Sequence, residues 1–128
     1  MSPESAKEKP AKTDARSLRD FFAAWGENDP DGRADLIRSA VGERFYYADP
    51  QAKQAITTAD DFLAFLGRFP ADASATVIEP ADIHHGHARA NVRFDFGGGK
   101  EMVGQYFAKF DGKGRIARIV GFPGKGAE

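Results

Sequence analysis

The sequence predicts an α+β fold in which a strongly curved, mostly antiparallel sheet wraps around three helices from the N-terminal half of the chain. Two observations predict it. Helical apolar spacing and helix-capping residues are confined to the part before residue 70, whereas the rest alternates between apolar and polar residues and is divided by glycine-rich turns. The short aromatic segment 44–49 ends at Pro50 and is predicted to be the first strand.

Three helices are predicted, over 13–28, over 29–42, and from 58 to the Phe69-Pro70 pair. Each begins at a Thr or Asp that can cap the first turn, and Gly42 is placed to cap the end of the second helix. The stripe of the first helix repeats at i, i+3, i+4 and i+7 and consists of Leu18, Phe21, Phe22 and Trp25.

Four more strands are predicted, over 73–79, 88–96, 101–110 and 115–122, the last three as an antiparallel meander. Period-2 alternation on the two middle strands selects one apolar face. That inner face comprises Ala88, Ala90, Val92, Phe94 and Phe96 on one strand and Met102, Gly104, Tyr106, Ala108 and Phe110 on the next. Its small members leave room that the helices or a ligand can fill.

Size and composition limit the possible functions. The chain has 128 residues, enough for one domain, predicted over 13–124, between flexible tails at 1–12 and 125–128. The formal net charge of −1 argues against nucleic acid as a partner, and the absence of cysteine excludes thiolate chemistry. We found neither a signal-peptide core nor a membrane-spanning stretch, so we expect a cytoplasmic protein without a membrane partner.

Several segments resemble the SnoaL-like branch of the nuclear transport factor 2-like superfamily. They lie between Leu18 and Phe122 and read FFAAWGENDPDGRADLI, FYYADP, FLGRFP, HHGHARANVRF and GQYFAKFDGKGRIARIVGF. The family's order is kept by Ala-Trp near the end of helix one, Asp-Pro after the first strand, and Asp-Gly-x-Gly-Arg-Ile before a final Gly-Phe. The resemblance implies a cone closed by helices, often with an apolar interior pocket, and a homodimer formed through the outer surface of the sheet.

The family includes polyketide cyclases, a dehydratase, an epoxide hydrolase and the ketosteroid isomerase, beside transport and assembly modules. The resemblance places Asp49 at the isomerase's general-base position. Two positions depart from the enzymes: Phe21 replaces the isomerase's oxyanion-hole tyrosine, and Tyr106 replaces an aspartate of the isomerase and the cyclases. A phenyl ring cannot donate a hydrogen bond, and a phenol cannot replace a carboxylate as a proton shuttle.

Three residues are the candidates for catalysis by proton transfer without a cofactor: Asp49 as base, His85 as its relay or as acid, and Tyr106 as donor to a developing oxyanion. The alternative for Asp49 is a purely structural role, because Asp-Pro commonly opens a turn that the side chain caps. A metal site at His85 and His87 is not predicted, since no third ligand is evident nearby.

We expect the pocket to bind a small, mostly apolar molecule that carries a carbonyl or hydroxyl group. Its predicted lining is aromatic and aliphatic and consists of Phe21, Trp25, Tyr47, Phe62, Leu66, Phe69, Val92 and Phe122. Three hypotheses stay open at this point: an enzyme, a ligand-binding module without turnover, and an interaction domain with a filled interior. The predicted homodimer would use the outer face of the meander, with Val103, Phe107 and Ile119.

Overall fold

The computed structural model describes residues 13–124, so the predicted tails at 1–12 and 125–128 lie outside the described residues. Its three α-helices are α1 (Asp14–Ala23), α2 (Pro30–Ala40) and α3 (Ala59–Leu66). The three predicted N-caps are confirmed: the side chains of Thr13, Asp29 and Thr58 each accept a hydrogen bond from a backbone N–H of the first turn, at 2.9 to 3.2 Å. Within residues 13–124 no helix has the length and apolarity needed to cross a membrane.

Five strands form one mixed sheet in the order β1-β5-β4-β3-β2. Their bounds are β1 (Val41–Ala48), β2 (Ser74–His84), β3 (His87–Asp95), β4 (Glu101–Phe110) and β5 (Ile116–Pro123). Strands β1 and β5 are parallel and every other pair is antiparallel, so the predicted meander is confirmed. The sheet is strongly curved, and register breaks in the β1–β5, β2–β3 and β4–β5 pairs are the kind of irregularity that bends strands.

Several predicted boundaries were wrong. Helix α1 ends at Ala23 and continues only as a 3₁₀ turn over Ala24–Gly26. Gly42 is no helix cap, because Val41 closes α2 with its backbone N–H and β1 starts at the same residue. Strand β2 runs five residues past the predicted end at Glu79, because an edge strand can accommodate Pro80 where the register slips.

The core lies between the helices and the inner face of the sheet. The predicted inner face is confirmed, since all of its members on β3 and β4 are buried except Phe96 and Met102, which are partly buried against the core. Ile119 was predicted on the outer face but is fully buried. The reason is a bulge: Phe110 pairs with Ile116 while its neighbour Lys109 pairs with Arg118, so one extra residue in β5 reverses the alternation.

Candidate functional site

A cavity of about 60 Å³ opens at one end of the sheet. It lies where β3 and β5 end, where β4 begins and where the loop after β1 starts, beside the 3₁₀ turn that follows α1. Its apolar lining includes Trp25, Phe69, Phe94, Phe96, Met102 and Phe122, and Asp49 and Tyr106 contribute polar groups to its wall. The cavity is therefore apolar with a few polar groups, which is the usual composition of a small-molecule site.

Asp49 follows the last residue of β1. It caps a turn and also borders the cavity, the two roles that its sequence context left open. Its Oδ1 accepts hydrogen bonds from the backbone N–H groups of Gln51 at 2.7 Å and Ala52 at 2.9 Å, and these bonds cap the turn. Its Oδ2 accepts a hydrogen bond from the hydroxyl of Tyr47. An ionised carboxylate has about four lone-pair positions, so three bonds leave roughly one for a molecule in the cavity.

Two tyrosines continue this hydrogen-bonded chain into the interior. Tyr47 is fully buried on β1, and its hydroxyl lies 3.5 Å from the hydroxyl of Tyr106 on β4. Because Tyr47 donates its single hydroxyl proton to Asp49, the Tyr47 oxygen is the acceptor in its contact with Tyr106. The sheet thus brings the hydroxyl groups of Tyr106 and Tyr47 and the carboxyl group of Asp49 next to one another.

Burial keeps both phenols neutral. Desolvation is the main cause that raises the pKa of Tyr47 well above its usual value, and the neighbouring Tyr106 and Asp49 raise it further. Desolvation likewise raises the pKa of Tyr106; the charge of Asp49 adds to this, and the hydrogen bond with Tyr47 opposes it. At pH 7 the chemistry available here is therefore hydrogen-bond donation by a neutral hydroxyl next to a carboxyl group.

Trp25 is one of the residues that line the cavity. It is 2% exposed, and its ring packs against those of Phe22, Phe62 and Phe94 at centroid distances of 5.4, 5.5 and 5.6 Å. Its indole Nε1 is buried, and it finds no hydrogen-bond acceptor among residues 13–124. A buried donor without a partner is unusual in a native fold.

Several solved structures have the same fold, and their descriptions are related to one another. No family model and no curated protein matches the chain. A SnoaL-like family protein from Agrobacterium tumefaciens, provisionally described as an isomerase, has 24% identity and a TM-score of 0.72 over 84% of this chain and 94% of its own. A provisionally described ketosteroid isomerase from Kribbella flavida has 23% identity and a TM-score of 0.67, covering 90% and 81% of the two chains. The chain has the fold of these SnoaL-like proteins.

The same SnoaL-like fold also carries other chemistry. An LEH-like epoxide hydrolase from M. tuberculosis has 14% identity and a TM-score of 0.63, covering 87% of this chain and 82% of its own. Likeness at these identities establishes the SnoaL-like fold alone, because one fold supports many unrelated functions. The function has to be argued from the cavity and its polar wall.

The structure separates His85 from the other two candidates, so the predicted relay between His85 and Asp49 was wrong. His85 is exposed in the β2–β3 turn with φ of 49°, and its Nδ1 lies 3.0 Å from Nδ1 of His84. The turn is at the opposite end of the sheet from the cavity: Ala90, the strand partner of Tyr106, is about 13 Å along β3 from Gly86. Among residues 13–124 no three His, Cys, Asp or Glu side chains are grouped to hold a metal ion.

The predicted lining divides into three groups. Trp25 and Phe69 line the cavity, and Phe122 also borders it. The ring of Phe122, however, is 54% exposed and packs on Phe107, outside the core. The remaining predicted lining residues do not border the cavity but form the core behind it, and they are Phe21, Tyr47, Phe62, Leu66 and Val92.

Other lining residues were missed by the sequence argument. Phe94, Phe96 and Met102 border the cavity, and the inner-face alternation that identified them as inward could have included them. Gly121 and Pro50 carried no signal, because their proximity to the cavity depends on how β5 and the loop after β1 fold back. Alternation within a strand predicts which face of the sheet a residue is on. It does not predict at which end of that face the cavity opens.

Proposed function

We propose that this protein binds a small, mostly apolar molecule with a carbonyl or hydroxyl oxygen in the cavity beside Trp25, Asp49 and Tyr106. The observation that carries the proposal is an otherwise aromatic cavity whose wall includes Asp49 and the neutral Tyr106. A buried hydroxyl there favours an occupant that can accept its hydrogen bond, while the rings favour an apolar body.

The size of the cavity restricts how much of the ligand enters. Pockets that enclose a drug-sized ligand usually have volumes of about 300 to 1,000 Å³, so a cavity of about 60 Å³ takes in only part of such a molecule. We propose that the oxygen-bearing end of the ligand enters, while the rest lies across the mouth. Phe96 and Met102 are only partly buried there and can move aside without opening the core.

A second candidate function is proton transfer next to a carbonyl. It is favoured by the chain from Tyr106 through Tyr47 to Asp49, which brings a donor and a carboxylate to one cavity wall. In this scheme Asp49 takes the proton as the C–H bond α to the carbonyl breaks, and Tyr106 donates to the resulting enolate oxygen. Return of the proton to another carbon would complete an isomerisation without any cofactor.

The descriptions of the two isomerase-like neighbours support this candidate, and that of the epoxide hydrolase supports an alternative in which Asp49 activates a water molecule. The departures from the enzymes at Phe21 and Tyr106 support the opposite proposal, a binding module without turnover. An interaction domain with a filled interior is the least favoured, because the cavity is open.

The two candidates are separated by one probe, cyclohexanone. Binding is measured from the methyl signal of Met102, and proton abstraction from deuterium exchange at the α carbons of the ketone in D₂O. If Asp49 is the base, Asp49→Asn should still bind but should lose at least about 100-fold in exchange rate. If both proteins bind the ketone but neither catalyses deuterium exchange, the protein is a binding module without turnover. If the original protein does not bind the ketone, the proposed function is wrong.

Asp95→Asn is the matched control for this substitution. Asp95 also caps a turn, since its Oδ1 accepts from the Gly97 N–H at 2.9 Å, but it does not border the cavity. Both variants should lose about 0.5 to 2 kcal/mol of stability through weakened capping bonds. Only Asp49→Asn should change the exchange rate, and an equal effect of both would make the loss structural.

We also propose that the protein is a homodimer formed through the outer face of the sheet, and the cytoplasm remains its predicted compartment. Phe107 and Phe122 are 42% and 54% exposed on that face and pack on each other in an edge-to-face pair. The side-chain oxygen of Asn91 is buried on the same face without a donor among residues 13–124. A second chain on this face would cover the two exposed rings.

A further inference from the structure

The formal charge of the cavity lining is negative and comes from a single residue. Among residues 13–124 the lining includes the carboxylate of Asp49 but no lysine, arginine or histidine. The rest of the lining is mostly aromatic and aliphatic. A negatively charged occupant would therefore meet a carboxylate of its own sign in largely apolar surroundings, where charges repel each other more strongly than in water.

The fold provides no cation to balance Asp49. The three hydrogen bonds of its carboxylate come from neutral donors, the backbone N–H groups of Gln51 and Ala52 and the hydroxyl of Tyr47. Within the described part of the chain no lysine, arginine or histidine lies at ion-pair distance from it. A half-buried carboxylate without a counter-ion favours the approach of a cation, because the hydration that it lost is only partly replaced.

The charge of Asp49 acts on other parts of the cavity wall. Desolvation is the main cause of the raised pKa of Tyr106, and the negative charge of Asp49 raises this pKa further. Tyr106 borders the same cavity, so an occupant of the cavity is subject to the same charge, and Coulomb attraction needs no direct contact. The aromatic rings of the lining can add cation–π attraction, which an aliphatic wall cannot.

We propose that the cavity selects its occupant by charge: the bound molecule carries a protonated amine besides its apolar body and its oxygen, as in an amino alcohol or amino ketone, and carboxylates are rejected. This inference rests on the proposed binding function and deepens it by naming the charge of the ligand. An ammonium group donates hydrogen bonds, so it can also use the lone pair that the three existing bonds leave on the carboxylate.

Three probes with the same hydroxyl-bearing ring and different charges test the proposal at pH 7. They are the cation trans-4-aminocyclohexanol, the neutral trans-4-methylcyclohexanol and the anion trans-4-hydroxycyclohexanecarboxylate. The NMR signal of the Met102 methyl group gives each dissociation constant, and it reports occupancy of the cavity because Met102 borders it. The amine should bind at least about 10-fold tighter than the methyl compound, and the carboxylate at least about 10-fold weaker.

Asp49→Asn removes the charge and keeps the shape of the side chain, so the preference for the amine should disappear in this variant. Asp111→Asn is the matched control and changes the net charge of the protein equally. Asp111 also caps a turn, since its Oδ1 accepts from the backbone N–H groups of Lys113 at 2.8 Å and Arg115 at 3.0 Å. It does not border the cavity, so its variant should keep the preference.

The outcomes separate this inference from the proposed function. If the three probes bind alike, or if Asp49→Asn keeps the preference for the amine, the selection by charge is wrong while the binding function stands. If none of the probes moves the Met102 methyl signal, the proposed function and this inference are both wrong. Should Asp49→Asn fail to fold, the order of the three affinities in the original protein decides the question.

Discussion

The ring of Tyr106 lies directly on the backbone of Gly121, its partner on the neighbouring strand β5. A Cβ at position 121 would be 2.6 Å from the ring's Cζ, closer than any real contact of that kind. Gly121 thus lets the ring lie flat on the sheet, with its hydroxyl next to that of Tyr47. The position of the donor in the cavity depends on the absence of a side chain on the adjacent strand.

Gly121→Ala should therefore displace the Tyr106 ring and destabilise the protein by about 1 to 3 kcal/mol, the usual cost of overpacking. Denaturant unfolding measures the loss, and the Tyr106 ring signals in NMR should shift. Gly112→Ala is the control, because nothing lies within 4 Å of its added Cβ. If both variants are equally stable, the close approach of ring and backbone is not a constraint.

Tyr47→Phe should cost about 1.5 to 3 kcal/mol, because it removes a hydrogen bond to the carboxyl group of Asp49 within the interior. Tyr46→Phe is the matched control on the same strand. The Tyr46 ring is half-buried under the guanidinium of Arg118, 4.5 Å from the ring centroid, and a phenyl ring keeps most of that contact. Equal losses in urea unfolding would show that the buried hydroxyl contributes nothing of its own.

Stability should fall as the pH rises above about 10. In the unfolded chain a tyrosine loses its proton near pH 10, whereas burial raises the pKa of both Tyr47 and Tyr106 in the folded protein. The folded state then holds more protons, so the contribution is complete below pH 10 and declines above it, by at most about 1.4 kcal/mol per pH unit for each phenol.

Unfolding curves at pH 9 to 11.5 measure this decline. Tyr106→Phe removes one of the two phenols and should make the decline shallower than in the original protein, while lysines and other groups titrate alike in both. An identical pH dependence of the two proteins would contradict the raised pKa of Tyr106.

Phe107→Lys should convert the proposed homodimer into monomers without unfolding the chain. Phe107 is on the outer face of β4 and 42% exposed, so a lysine there meets water in the monomer but a buried surface in the dimer. Light scattering at micromolar concentration gives the mass. Ala64→Lys, at an exposed position of α3, is the control that should stay dimeric. A monomeric original protein would remove the dimer proposal.

Local sequence was enough to predict most of the secondary structure. The caps at Thr13, Asp29 and Thr58 act on amides three residues away, and the inner face of β3 and β4 follows from alternation within each strand. These signals involve neighbours along the chain, so no knowledge of the tertiary fold is needed to read them. The order of elements also predicted the α+β architecture that the structure shows.

Where the candidate site forms was decided by tertiary structure. Asp49 directly follows β1 and Tyr106 lies on β4. These two strands are joined only through β5, so the approach of Asp49 to Tyr106 depends on how all three strands pair. Strand pairing also places His85 at the opposite end of the sheet from the cavity. The sequence had nevertheless suggested His85 as the proton relay for Asp49. One bulge in β5 turned Ile119 inward, against the alternation read from its own strand. Register and bulges arise from contacts between strands distant in sequence, so a single strand's pattern cannot contain them.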